Sequence, residues 1–129
     1  MFISCSTDDD SNPQGEEVLV VKEADLIGKW QLTEATENDS DEQLTECDLL
    51  DTREFKSGGE LIVDSHFEIA DTCDNTIRTI EWALSENVVT FNGSDKETVI
   101  ELTSTTIKFQ YTEKDGDDEF TYVETYKKL

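Results

Sequence analysis

Basic residues are scarce in this chain. Ten lysines and arginines stand against 32 aspartates and glutamates, a formal net charge of −22 over 129 residues. A field of that sign repels phosphate backbones and anionic membrane surfaces, so nucleic acid is excluded as a partner. Histidine is scarcer still: with His66 alone, a zinc site of about four ligands lacks its usual donors. No C-x-x-C joins any of the cysteines, which argues against redox catalysis. G-x-S-x-G, H-E-x-x-H and a phosphate-binding glycine loop are all missing. Nothing therefore marks the chain as an enzyme or implies a cofactor. No apolar run approaches the roughly 18 residues of a membrane-spanning helix. The length fits one domain, and the 35% apolar content is lean for one.

Carboxylates dominate what is present. In so acidic a chain most of them form solvated faces, and a pair of them carries no catalytic meaning. Two clusters stand out, "DSDE" at 39–42 and "DGDDE" at 115–119. Oxygen ligands suit calcium, but neither cluster has the spacing of a known calcium loop, and no metal site is expected. Asn92-Gly93-Ser94 fits an N-glycosylation pattern, although hairpin chemistry explains it.

After about residue 23 the chain reads as eight strands, at 27–35, 52–56, 60–69, 76–85, 88–92, 97–104, 106–113 and 119–128. Ser57-Gly58-Gly59, Asn92-Gly93 and Asp115-Gly116 supply turns between them. Ile80, Trp82 and Leu84 share one face, as do Ile107, Phe109 and Tyr111, and Phe120, Tyr122 and Tyr126. Such alternation means one buried and one wet face. His66 falls on the face opposite Leu61, Val63 and Phe67, as a surface histidine. Eight antiparallel strands with short connections close most simply into an all-β up-and-down barrel, which removes exposed edges. A two-sheet sandwich is the alternative. The segment "TENDSDEQLTECDLL" (36–50) is too polar and too long for a hairpin turn. It is expected to be a loop with one helical turn around Asp41 to Thr45, either covering the barrel mouth or running over the surface.

An eight-stranded barrel is just wide enough to be filled by side chains or to hold one small ligand. Candidates for the wall of a ligand cavity are Phe55, Leu61, Val63, Phe67, Trp82, Leu84, Phe91, Phe109, Tyr111 and Tyr122. Many are large, so two functions stay open. In one, the barrel holds a small apolar molecule, and Trp82 reports on it. In the other, a filled barrel is a surface scaffold whose loops contact a protein or glycan.

The opening "MFISC" resembles the end of a bacterial lipoprotein signal, with Phe2, Ile3 and Ser4 before the cysteine that receives lipid, Cys5. The basic start and the apolar stretch of about 7–15 residues do not precede it, so the given start is expected to be truncated or misassigned. "STDDDSNPQGEE" then has no apolar residue and reads as a flexible tether. Ser6, Thr7, Asp8, Asp9 and Asp10 are similar to the export signal of surface-exposed lipoproteins of the Bacteroidota. The resemblance implies a monomer lipid-anchored to the outer membrane, exposed at the cell surface, with tether 1–23 and barrel domain 24–129. The compartment it implies is oxidising. With Cys5 set aside, Cys47 and Cys73 form a pair, and a disulfide is expected. Chain entropy gives it about 3.5 kcal/mol for a loop of roughly 26 residues.

"ADLIGKWQLTE" carries Gly28-Lys29-Trp30, preceded by Lys22 to Leu26, a stretch able to form one helical turn. This resembles the opening motif of the lipocalins, in which Gly28 and Trp30 would close one end of the barrel. The likeness is closer to the lipocalin-like domains of Bacteroidota lipoproteins. It includes "LIGKW", the two cysteine positions, "EFKSGGEL" and the terminal "TYVETYKKL". Lipocalins usually place an arginine in the last strand to stack on the tryptophan. Here that strand offers only Lys127 and Lys128.

Overall fold

The computed structural model describes residues 20–129; Cys5 and most of the acidic tether lie outside the described residues. One helical turn, α1 (Glu23–Leu26), leads into β1 (Gly28–Glu37), the stub β2 (Ser40–Asp41) and a 3-10 turn (Asp48–Leu50). The chain then runs through β3 (Thr52–Lys56), β4 (Glu60–Ile69), β5 (Thr72–Ser85), β6 (Val88–Phe91), β7 (Asp95–Leu102), β8 (Thr106–Asp115) and β9 (Asp118–Lys128). From β3 onward each strand pairs with the next. β1 pairs with β3 on one side and β9 on the other, from Trp30↔Lys128 to Glu37↔Tyr122, and so shuts an eight-stranded antiparallel up-and-down barrel. β2 only folds back on the end of β1.

The turn chemistry follows the sequence at Asn38-Asp39 and Asn92-Gly93, where both central residues have positive φ, as tight hairpins demand. At the tip of β4–β5 the same shape is taken by Ala70-Asp71, with φ of 49° and 66°. Alanine gives no turn signal, which is why β5 reads from the sequence as starting at Thr76 and in fact starts at Thr72.

One end of the barrel is closed and filled. The Trp30 indole N–H donates to the Leu26 carbonyl at 3.0 Å and ties α1 to β1. Leu26, Trp30, Phe55, Val89, Val99, Ile107 and Phe109 are fully buried there. Lys128 supplies the cation that lipocalins take from arginine, with Nζ 5.4 Å from the Trp30 ring centroid. Gly28 makes room for it. A Cβ at this position would lie 2.9 Å from Lys128 Cε, and its φ of 135° is one that side-chain-bearing residues avoid.

The segment after β1 is a strap on the barrel wall, and its helical turn lies at Asp48–Leu50, later than the expected Asp41–Thr45. It fills the seam where β1 parts from β3, and it does so from outside. Gln31 Nε2 donates to the Leu49 carbonyl at 2.7 Å, and the Leu32 N–H donates to the Asp51 carbonyl at 3.0 Å. His66, on the outer face of β4, takes Asp51 as partner through its backbone N–H and through Nδ1 at 3.3 Å. The histidine expected at the open surface is therefore half-buried under the strap. Burial raises the Asp51 pKa, against the lowering effect of its bonds to His66. Cys47 and Cys73 are bonded, with Cα atoms 5.7 Å apart, and pin the strap to β5. Cys47→Ser or Cys73→Ser should cost about 2–5 kcal/mol. Titration of the folded, unreduced protein should find neither thiol; two reactive thiols would contradict the bond.

Candidate functional site

Halfway along the barrel, the interior changes from apolar to charged. Phe55 points inward from β3, so Arg53, two residues earlier, points inward too. Its guanidinium makes a bidentate pair with Glu97 of β7, Nη1 to Oε1 at 3.0 Å and Nη2 to Oε2 at 3.3 Å. Nη2 also reaches Glu124 of β9 at 3.5 Å. The Arg53 and Glu97 side chains are each 14% exposed. The arginine's Cζ lies 4.9 Å from the ring centroids of both Phe109 and Tyr126 and 5.3 Å from that of Phe91. One side chain thus spans the barrel from β3 to β9. Burial alone would lower its pKa; the carboxylates of Glu97 and Glu124 outweigh burial and raise it, so Arg53 stays charged.

Two hydroxyls complete this layer. Tyr126 donates to Glu124 at 2.9 Å, and Tyr111 donates to its other oxygen at 3.3 Å. Both phenols have raised pKa values, first from burial and then, for Tyr111, from Glu124 and Glu97. Neutral phenols are what the layer needs, because only a protonated hydroxyl can donate to a carboxylate.

Beyond the layer lies a cleft of about 170 Å³. Leu61, Val63, Ile80 and Phe91 form its apolar wall, Arg53 and Glu97 reach it from the charged layer, and Arg78, Asn92 and Asp95 complete the lining. A second opening flanks it. The β7–β8 ladder ends at Thr98↔Gln110, and beyond that pair Asp95, Glu97, Tyr111 and Glu113 border a more open groove.

The expected cavity residues occupy three settings. Leu61, Val63 and Phe91 line the cleft. Phe55, Trp82 and Phe109 belong to the packed closed half, with Leu84 packed against it. Phe55 meets Trp82 edge-on at 5.1 Å and stacks with Phe109 at 6.2 Å. The Trp82 N–H donates to the Lys56 and Glu60 carbonyls, so this residue braces the β3–β4 turn. Tyr111 and Tyr122 stack on each other at 5.1 Å near the groove, and Phe67 is 38% exposed on the projecting β4–β5 hairpin. Sequence reasoning missed Arg53, Glu97 and Glu124. The signal was present for two of them: Arg53 alternates with Phe55, and Glu124 lies between inward Tyr122 and Tyr126.

No curated protein sequence matches this chain. Among solved structures it is similar to the bovine lipocalin allergen Bos d 2, with TM-score 0.55 and 15% identity over 84% of this chain and 76% of that one. An odorant-binding protein, OBP1, gives 0.53 and 16% over 86% and 76%. A bovine odorant-binding protein in complex with a selenium-containing odorant gives 0.52 and 14% over 89% and 77%. Identities this low show a shared fold. The sequence itself matches the lipocalin-like domain family over residues 26–109, most of the barrel. By its sequence and its closed eight-stranded barrel, this chain belongs to the lipocalin-like domain family.

Proposed function

We propose that this protein is a non-enzymatic, monomeric binder of a small apolar molecule, held at the outer membrane of a Bacteroidota-type cell by lipid on Cys5. Residues 1–23 serve as signal remnant and tether, and residues 24–129 as the binding domain. The observation that carries the binding reading is the cleft walled by Leu61, Val63, Ile80 and Phe91. At about 170 Å³ it is smaller than the roughly 300–1,000 Å³ of a drug-sized ligand pocket, so the occupant is correspondingly small. The odorant bound by the bovine relative is a precedent for small-molecule binding on this fold.

Purified delipidated protein should bind a neutral naphthalene-based fluorophore saturably below about 100 μM. Val63→Asp, which puts a charge on the apolar wall, should weaken that binding about tenfold or more. Absence of saturable binding would favour the second reading, the surface scaffold. That reading is supported by the filled closed half and by Phe67 and Ile69, exposed on the projecting hairpin. The anchor has its own test. Expressed behind an intact signal, the protein should partition into detergent and carry a lipid mass on Cys5, whereas a Cys5→Ser variant that stays equally membrane-bound would rule the anchor out.

A further inference from the structure

We infer that the cleft selects by charge, preferring an organic cation, an amine on a small apolar or aromatic body, and rejecting the matching carboxylate. The inference rests on the reading of the cleft as a binding site, and it concerns the head group rather than the apolar body.

The layer beneath the cleft sets the sign. Glu97 and Glu124 both face the single Arg53, a formal excess of one negative charge in a largely buried setting. A ligand carboxylate there would be the third around one guanidinium, whose fork Glu97 already holds bidentately. At the rim, Arg78 and Asp95 carry opposite charges, so they cancel formally and leave the excess in place. Both are exposed, and water and salt screen them more than the layer below.

The adjoining groove has the same bias. It shares Asp95 and Glu97 with the cleft and adds Glu113. Lys96 also borders it, but Lys96 alternates with Asp95 and Glu97 along β7 and belongs to the outer face. The stacked rings of Tyr111 and Tyr122 stand nearby, and π faces attract cations. The raised pKa of Tyr111, caused first by burial and then by Glu124, Glu97 and Glu113, registers the same negative field. The chain's net charge of −22 would draw a cation towards the site and slow an anion.

Three probes with one aromatic body separate the effects of head and body: phenethylamine, phenethyl alcohol and phenylacetate. Calorimetric titration of the folded protein at neutral pH should show the amine binding about tenfold or more tightly than phenylacetate, with the alcohol between. Physiological salt should narrow the gap. Asp95→Asn, an exposed rim substitution that leaves the barrel folded, should narrow it by about threefold. Phenylacetate binding as tightly as the amine would overturn the charge selection and leave the binding reading standing. Failure of all three to bind saturably would overturn the binding reading and the selection with it.

Discussion

Arg53→Ala should destabilise the barrel by about 3–5 kcal/mol, because it strands Glu97 and Glu124 in the interior without a counter-charge. The loss combines three charge-assisted hydrogen bonds with contacts to three aromatic rings. Arg53→Lys should recover little of it, since an ammonium can neither hold Glu97 bidentately nor lie flat between rings. Removing the whole charged set, Arg53→Met with Glu97→Leu and Glu124→Gln, should come much closer to neutral, as buried ion pairs replaced by apolar groups of similar size often do. Urea is the right denaturant for all of these variants. Guanidinium chloride would screen the self-repulsion of a chain with net charge −22 and blur the comparison. An alanine variant as stable as the parent would show that the layer contributes nothing to holding the barrel together.

Trp30→Ala should cost a similar amount, about 3–5 kcal/mol. Trp30 is 1% exposed, its N–H holds α1, and its ring carries the Lys128 ammonium. Its loss would leave a cavity at the closed end and release the helical turn that covers it. The urea midpoint should fall, and ligand binding by the surviving folded fraction should not change. Trp82 belongs to the same packed half, bonded to the β3–β4 turn. Neither tryptophan lines the cleft, so intrinsic fluorescence reports mainly on folding here.

Much of this fold was legible in the sequence because strand alternation is strong where one face is buried. Trp82 with Ile80, and Tyr126 with Tyr122, announce their faces directly, and Asn92-Gly93 announces its turn. The Ala70-Asp71 turn was not legible, because nothing in an alanine signals positive φ. The strap was not legible either. Its hydrogen bonds to Gln31, Leu32 and His66 depend on β1 parting from β3, a tertiary event without a local pattern. The charged layer was hidden differently. Among 32 carboxylates, Glu97 looks like the rest, and Glu124 is set apart only by its alternation with Tyr122 and Tyr126. Arg53 is set apart by its alternation with Phe55, but a charge is not expected on a core face until a partner for it is found.

The central claim is that a ligand occupies the half of the barrel beyond Arg53 and leaves the packed half untouched. Methyl chemical-shift mapping with phenethyl alcohol tests it most directly, because the neutral head makes the result independent of charge selection. The methyl signals of Leu61, Val63 and Ile80 should move saturably while those of Val89, Val99 and Ile107 hold still. Saturable shifts at Val89, Val99 and Ile107, or no shifts at all along the cleft wall, would contradict it.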